Sequence, residues 1–151
     1  MYDIPVRQIM KATVVTIHPD ALVVDARQLL EEFGIRRLPV VEENGVLVGI
    51  ITDTDIREAE AAIQTVSPYD PVAEESWLAV ADVMTREVVT IGPEASLGEL
   101  AATLMAHKIG GVPVVTLDTD QRQHLVGIVS EIDIFRLLAN AWASAQQAPA
   151  N

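Results

Sequence analysis

Two stretches of this chain repeat one another, and that constrains the fold more than any single motif. Residues 6–41, VRQIMKATVVTIHPDALVVDARQLLEEFGIRRLPVV, align with residues 80–115, VADVMTREVVTIGPEASLGELAATLMAHKIGGVPVV, at an offset of 74, with 13 identities in 36 positions. Val14-Val15-Thr16-Ile17 falls on Val88-Val89-Thr90-Ile91, Pro19 on Pro93, and Pro39-Val40-Val41 on Pro113-Val114-Val115. After a four-residue insertion in the second copy, LVGIITDTDI (47–56) matches LVGIVSEIDI (125–134) at an offset of 78. A chain of this kind folds as two versions of one supersecondary unit packed together.

Each copy reads β-α-β-β-α, an α/β (α+β) plan. VVTI is a β-branched run closed by a proline two places on, as strands commonly are. Asp20–Gly34 spaces Ala21, Val24, Ala26, Leu29, Leu30 and Phe33 near a helical period, with Gly34 as its stop. In the second copy Ser96 and Glu99 form a capping-box pattern. Two strands follow, LPVV and VLVGIIT, with the Asn44-Gly45 pair favouring a tight hairpin turn. The second hairpin loop, Asp118 to His124, is longer, polar and expected to be exposed. Helices are expected from Asp53 to about Thr65 and from Glu131 to about Ser144, each first turn acidic or polar. The expected boundaries are 4–65 for the first repeat, 66–79 for a linker, 80–142 for the second repeat and 143–151 for a frayed tail. A lead-in helix carrying Trp77 is expected over Glu74–Met84.

Composition narrows the function. Ten basic residues against 22 acidic ones give a formal charge of −12, which disfavours a broad nucleic-acid or anionic-membrane surface. The absence of cysteine excludes disulfides, a thiolate nucleophile and a Cys-based zinc site. Aromatic residues are only 4% of the chain, too few for a base-stacking platform. No apolar run has the length of a membrane span and the start lacks the pattern of a signal peptide, so a cytoplasmic protein is expected.

The order [V/I]-M-x-x-x-[V/I]-[V/I]-T-[V/I]-x-P, then P-V-V, then L-V-G-I-[I/V]-[T/S]-x-x-D-I, occurring twice over residues 4–140, resembles a tandem cystathionine-β-synthase (CBS) domain pair, the Bateman module. The resemblance implies two repeats packed as one pseudo-two-fold module that binds an adenosine compound. AMP, ADP or ATP is the usual ligand, and S-adenosylmethionine or NAD an occasional one. It also implies a homodimer that regulates a client protein.

The residues that carry chemistry are a hydroxyl and the aspartate three places on: Thr52/Asp55 and Ser130/Asp133. At a helix start these share one face, where a carboxylate can accept both ribose hydroxyls and first-turn N–H groups can meet phosphate. The same pair can equally be a helix cap and no more. In modules that this sequence resembles, each cleft joins one copy's T/S-x-x-D to strand residues of the other. That implies a cleft A of Met10, Lys11, Ala12, Ile35, Arg36, Arg37, Leu38, Ile128, Ser130 and Asp133. It implies a cleft B of Met84, Thr85, Arg86, Ile109, Gly110, Gly111, Val112, Ile50, Thr52 and Asp55. Arg36-Arg37 offers forked donors suited to phosphate where the second copy has Gly110-Gly111, so cleft A is expected to take the more phosphorylated nucleotide. The alternative for the arginines is a solvated strand edge paired with Glu31 or Glu42.

No catalytic or metal motif is present. His18, His107 and His124 lie on separate segments, and Asp53-x-Asp55 and Asp118-x-Asp120 lack the rest of a calcium loop. Glu58, Glu60, Asp70, Glu74 and Glu75 read as a solvated acidic face. Trp142, Leu137 and Leu138 are candidates for dimer packing, and Met105 is expected in the core. The sequence therefore points to a non-enzymatic adenylate sensor. The second reading is a ligand-independent interaction module acting on an enzyme or transporter.

Overall fold

The computed structural model describes residues 1–66 and 77–147. The chain divides into two compact units that do not coincide with the two repeats. One, here the first unit, comprises Val15–Val88 with Leu117–Leu125; the second comprises Met1–Val14, Val89–Thr116 and Val126–Asn151.

The first unit contains α1 (Val23–Phe33), the paired strands β1 (Arg37–Val41) and β2 (Leu47–Thr52), α2 (Asp53–Val66) and the short α3 (Val80–Val83). The second has a 3-10 turn at Val6–Gln8, α4 (Leu97–His107), the paired strands β3 (Gly111–Leu117) and β4 (Gln123–Ser130), and α5 (Glu131–Gln147). The last residue of β3 and the first three of β4 belong to the first unit, where His124 bridges Val46 and Leu125 N–H donates to Gly45 C=O.

The two cores use the same positions. Val23, Ala26, Leu30, Leu38, Val40 and Ile51 in the first unit correspond to Leu97, Leu100, Leu104, Val112, Val114 and Val129 in the second. The helix positions are spaced three and four apart and the strand positions two apart, as burial of one face requires.

Each core is completed by a segment from the other repeat. Val80 and Met84 are buried in the first core and Val6 in the second. The backbone exchanges are the same in both. Val80 N–H donates to Ala21 C=O and Ala81 N–H to Pro19 C=O, as Val6 N–H donates to Ala95 C=O and Arg7 N–H to Pro93 C=O. This replaces the expected lead-in helix: of its span within the described residues, 77–84, only Val80–Val83 is helical, and Ala79 is extended, bridged to Leu22 at the entry to α1. The remainder of that expectation, the linker loop and the tail beyond Gln147 fall outside the described residues.

The expected VVTI strands are reduced to single parallel bridges, Ile17 with Val40 and Ile91 with Val114. Ile17 N–H donates to Pro39 C=O and Val41 N–H to Ile17 C=O. The rung before would need an N–H on Pro39 and the rung after an N–H on Pro19, and neither exists. Pro113 and Pro93 stop the second copy in the same way.

The first hairpin turns tightly over Glu42–Gly45, with Gly45 N–H on Glu42 C=O and Gly45 at φ 84°. Two other expectations are corrected. Met105 is 80% exposed, because α4 buries the face through Leu97, Leu100 and Leu104 and Met105 stands about 100° round from the last of these. Leu137 packs on its own core, whereas Leu138 and Trp142 are exposed. No helix among the described residues is long and apolar enough to cross a membrane.

Candidate functional site

Both units build the same local arrangement at the end of a hairpin. In the second unit the Met10-Lys11 segment lies against β4: Lys11 N–H donates to Ile128 C=O (2.9 Å) and Ile128 N–H returns to Lys11 C=O (3.0 Å). In the first unit Thr85 and Ile50 exchange the same two bonds, at 2.8 and 2.9 Å. Gly127 and Gly49 make the close approach possible. A Cβ on Gly127 would lie 2.6 Å from Met10 Sδ, and one on Gly49 2.5 Å from Met84 Sδ.

Two residues beyond each contact the strand hands over to a helix through the hydroxyl–aspartate pair. Thr52 N–H donates to Asp55 Oδ2 (3.0 Å) and Asp55 N–H to Thr52 Oγ1 (3.1 Å), a reciprocal capping box. Asp53 N–H donates to Arg36 C=O (3.1 Å) and Thr54 N–H to Asp53 Oδ1 (2.9 Å). The amides of this first turn are therefore engaged by the protein itself.

The Ser130 pair is wired differently. Asp133 Oδ2 accepts from Ser130 N–H (2.8 Å) and from Ser130 Oγ (3.3 Å), while Oδ1 accepts from Arg136 Nη1 (3.2 Å). Glu131 N–H donates to Gly110 C=O (2.9 Å), the counterpart of the Asp53–Arg36 bond. At 5% exposure Asp133 is the one buried charged residue among the described residues. Its three donors offset the desolvation that an isolated buried carboxylate would suffer. Asp55 is half-buried, and the position equivalent to Arg136 is Glu58, which cannot donate.

The residues expected in cleft A fall in both units. Met10, Lys11, Ala12, Ile128, Ser130 and Asp133 belong to the second, Ile35, Arg36, Arg37 and Leu38 to the first. Of those expected in cleft B, Met84, Thr85, Arg86, Ile50, Thr52 and Asp55 are in the first unit and Ile109, Gly110, Gly111 and Val112 in the second. Within the first unit Arg37 stands opposite Thr52 in the β1–β2 register, and Arg36 is exposed. Leu38 and Val112 are wholly buried, so their side chains serve the cores. Arg86 is turned to Ala81 C=O (3.2 Å).

A further hub, at the β3–β4 loop, is built on Asp118. Asp118 Oδ1 accepts the amides of Asp120 (2.8 Å) and Arg122 (2.9 Å), and Oδ2 accepts Arg122 Nε (3.0 Å) and pairs with His124 Nε2 (2.8 Å). These bonds, the Arg122 amide foremost, hold the Asp118 carboxyl well below the usual carboxylate range. The Asp-x-Asp spacing marked this loop, but the His124 contact depends on the hairpin register. Among the described residues no group of three or more His, Asp or Glu is placed to hold a metal ion.

The family model for the CBS domain matches residues 6–62 and 80–140. A CBS domain-containing protein of Dictyostelium discoideum is 34% identical over 139 residues, covering 88% of this chain and 90% of that one. The CBS domain pair of protein MJ0100, solved in complex with 5′-methylthioadenosine and S-adenosyl-L-methionine, has a TM-score of 0.71 at 33% identity, covering 89% of this chain and 98% of that one. CBSX2, solved in complex with AMP, has a TM-score of 0.75 at 26% identity, covering 91% of this chain and 98% of that one. The curated relatives also include enzymes of which this chain spans about a quarter, 23% and 24% of their length in two cases.

Proposed function

Because the chain belongs to the CBS domain family, we propose that it is a non-catalytic, cytoplasmic sensor of an adenosine-type ligand that self-associates and modulates a client protein. The ligand class is AMP, ADP or ATP, with S-adenosylmethionine and NAD the other adenosine compounds to test. The observation that carries this reading is the duplicated end-of-hairpin arrangement. A backbone segment at Met10–Ala12 or Met84–Arg86, bonded alike to β4 or β2, and a hydroxyl–aspartate pair each occur twice. A backbone edge suits recognition of a purine, and a carboxylate suits ribose hydroxyls. Complexes of related CBS pairs with AMP and with methylated adenosine compounds support the ligand class.

The Ser130/Asp133 pair is the better ribose site on this reading, since Asp133 is already desolvated and fixed by three donors. Arg36 and Arg37 carry cations suited to phosphate that Gly110 and Gly111 lack. Ligand binding would bias the module toward one arrangement only by its differential affinity for that arrangement. The test is calorimetric titration of the full chain with AMP, ATP, S-adenosylmethionine and NAD. Saturable binding of one of these supports the sensor; a flat panel together with a recoverable client supports a ligand-independent interaction module instead.

A further inference from the structure

The two hydroxyl–aspartate pairs differ in how much of each carboxylate the protein itself occupies. A carboxylate accepts about four hydrogen bonds, about two at each oxygen. Asp55 accepts one among the described residues, from Thr52 N–H on Oδ2, and its Oδ1 is open. Asp133 accepts three: Ser130 N–H and Ser130 Oγ fill Oδ2, and Arg136 Nη1 takes a position on Oδ1. One position, on Oδ1, is left. Two donors make the difference. Ser130 turns its hydroxyl proton to the carboxylate, whereas Thr52 Oγ1 accepts the Asp55 amide. Arg136 lies one turn beyond Asp133 on the same helix face, where the first repeat has Glu58. The basic residue nearest that place, Arg57, is directed to Thr54 Oγ1 (3.4 Å) and Asp53 Oδ2 (3.7 Å) instead.

Ribose presents two neighbouring hydroxyls. A carboxylate that takes one on each oxygen needs an open position on each, and Oδ2 of Asp133 has none. Taking both on Oδ1 is prevented by Arg136. Burial agrees with the count, since the Asp133 side chain is 4% exposed, with little room for two ligand oxygens, under an Arg136 that is 56% exposed. Building on the adenosine-type ligand proposed above, we propose that Arg136 makes the Ser130/Asp133 site read a single ribose hydroxyl. The site then takes adenosine nucleotides that lack the other hydroxyl nearly as well as the ribonucleotide. Arg136 is thus a specificity-determining residue that acts through Asp133, three places beyond the motif itself.

Calorimetric titration of the full chain with AMP, 2′-deoxy-AMP and 3′-deoxy-AMP tests this. In the wild type one deoxy compound should bind within about threefold of AMP and the other at least about tenfold more weakly, the loss of one hydrogen bond to a charged acceptor. Arg136→Met keeps the length of the side chain without its donor and opens the second position on Oδ1. Removing the hydroxyl that the wild type ignores should then weaken binding at least about fivefold. Arg136→Lys restores a donor and should restore the wild-type pattern. A purely structural Arg136 would lower the melting temperature and leave these ratios alone. Equal losses with both deoxy compounds in the wild type, no loss with either, or wild-type ratios in Arg136→Met overturns the inference. So does a wild type that fails to bind AMP, and a flat response to ATP, S-adenosylmethionine and NAD as well overturns the sensor.

Discussion

Met10 lies over Gly127 so closely that a Cβ on the glycine would fall 2.6 Å from its sulfur and 3.0 Å from the Lys11 carbonyl oxygen. The thioether can swing aside, but the carbonyl is held by the amide of Ile128. Gly127→Ala should therefore part the Lys11–Ile128 pair and cost about 1–3 kcal/mol, as overpacking does. Urea unfolding would register it, and hydrogen exchange should find the loss concentrated at the amides of Lys11 and Ile128. An unchanged midpoint would mean that the segment yields without penalty.

The C-caps give a stability prediction of the opposite sign. Gly34 ends α1 at φ 62° and Lys108 ends α4 at φ 55°, each followed by a residue whose amide reaches back five places to a leucine carbonyl. Only the first is glycine. Lys108→Gly should raise stability by about 0.5–1 kcal/mol, and Gly34→Ala should lower it by about 1 kcal/mol. Nothing lies within 4 Å of a Cβ built on Gly34, so the cost there is backbone strain alone. Chemical denaturation of the two variants beside the wild type decides it.

Acid should weaken the β3–β4 loop progressively. The fold lowers the Asp118 carboxyl below its ordinary value, so the ionised form is the one that holds the loop. Its contribution is complete above about pH 4, the unfolded carboxylate range, and is lost as pH falls below that. Relative to the intrinsic rate at each pH, amide exchange at Asp120 and Arg122, which donate to this carboxylate, should accelerate as pH falls below about 4 in the wild type. In Asp118→Asn it should be fast already at pH 7.

Asp133 separates ligand binding from folding. Removing the side chain strips Ser130 and Arg136 of their acceptor, so Asp133→Ala should cost about 1–3 kcal/mol before any ligand is added. Asp133→Asn keeps the shape and one acceptor oxygen, and is the cleaner probe. At ligand 100 times above Kd the wild type should gain about 2.7 kcal/mol, a melting shift of roughly 5–10 °C. Asp133→Asn should lose most of that shift, and Asp55→Asn little of it. Arg37→Ala should weaken ATP more than adenosine.

The duplicated sequence made the cores legible, because burial follows spacing and both copies kept it: Leu30 and Leu104, Val40 and Val114, Ile51 and Val129 were apolar positions of a helix or strand period. The hydroxyl–aspartate pairs were legible for the same reason. Strand extent was not, since β-branched composition at Val14–Ile17 says nothing of which N–H groups the facing Pro39 withholds. Nor was the ownership of residues 1–14. Periodicity reports which face of a segment is buried but not against which partner, and Val6 is buried against the copy it does not belong to in sequence. The difference between Asp55 and Asp133 also escaped. It arises from Glu58 and Arg136, three places beyond each motif, whose register matters only once both helices exist.

The exchange of Val6 and Val80 between repeats has a consequence for how such a chain could arise. A single copy would leave its own core short of a buried valine and an edge segment, and would carry a segment with no core to join. It would be whole only by lending that segment to another chain and borrowing one back. Joining two copies end to end turns that loan between molecules into an intramolecular closure, with effective concentration in place of encounter. Cutting between residues 66 and 77 should accordingly yield fragments that fold together and not apart.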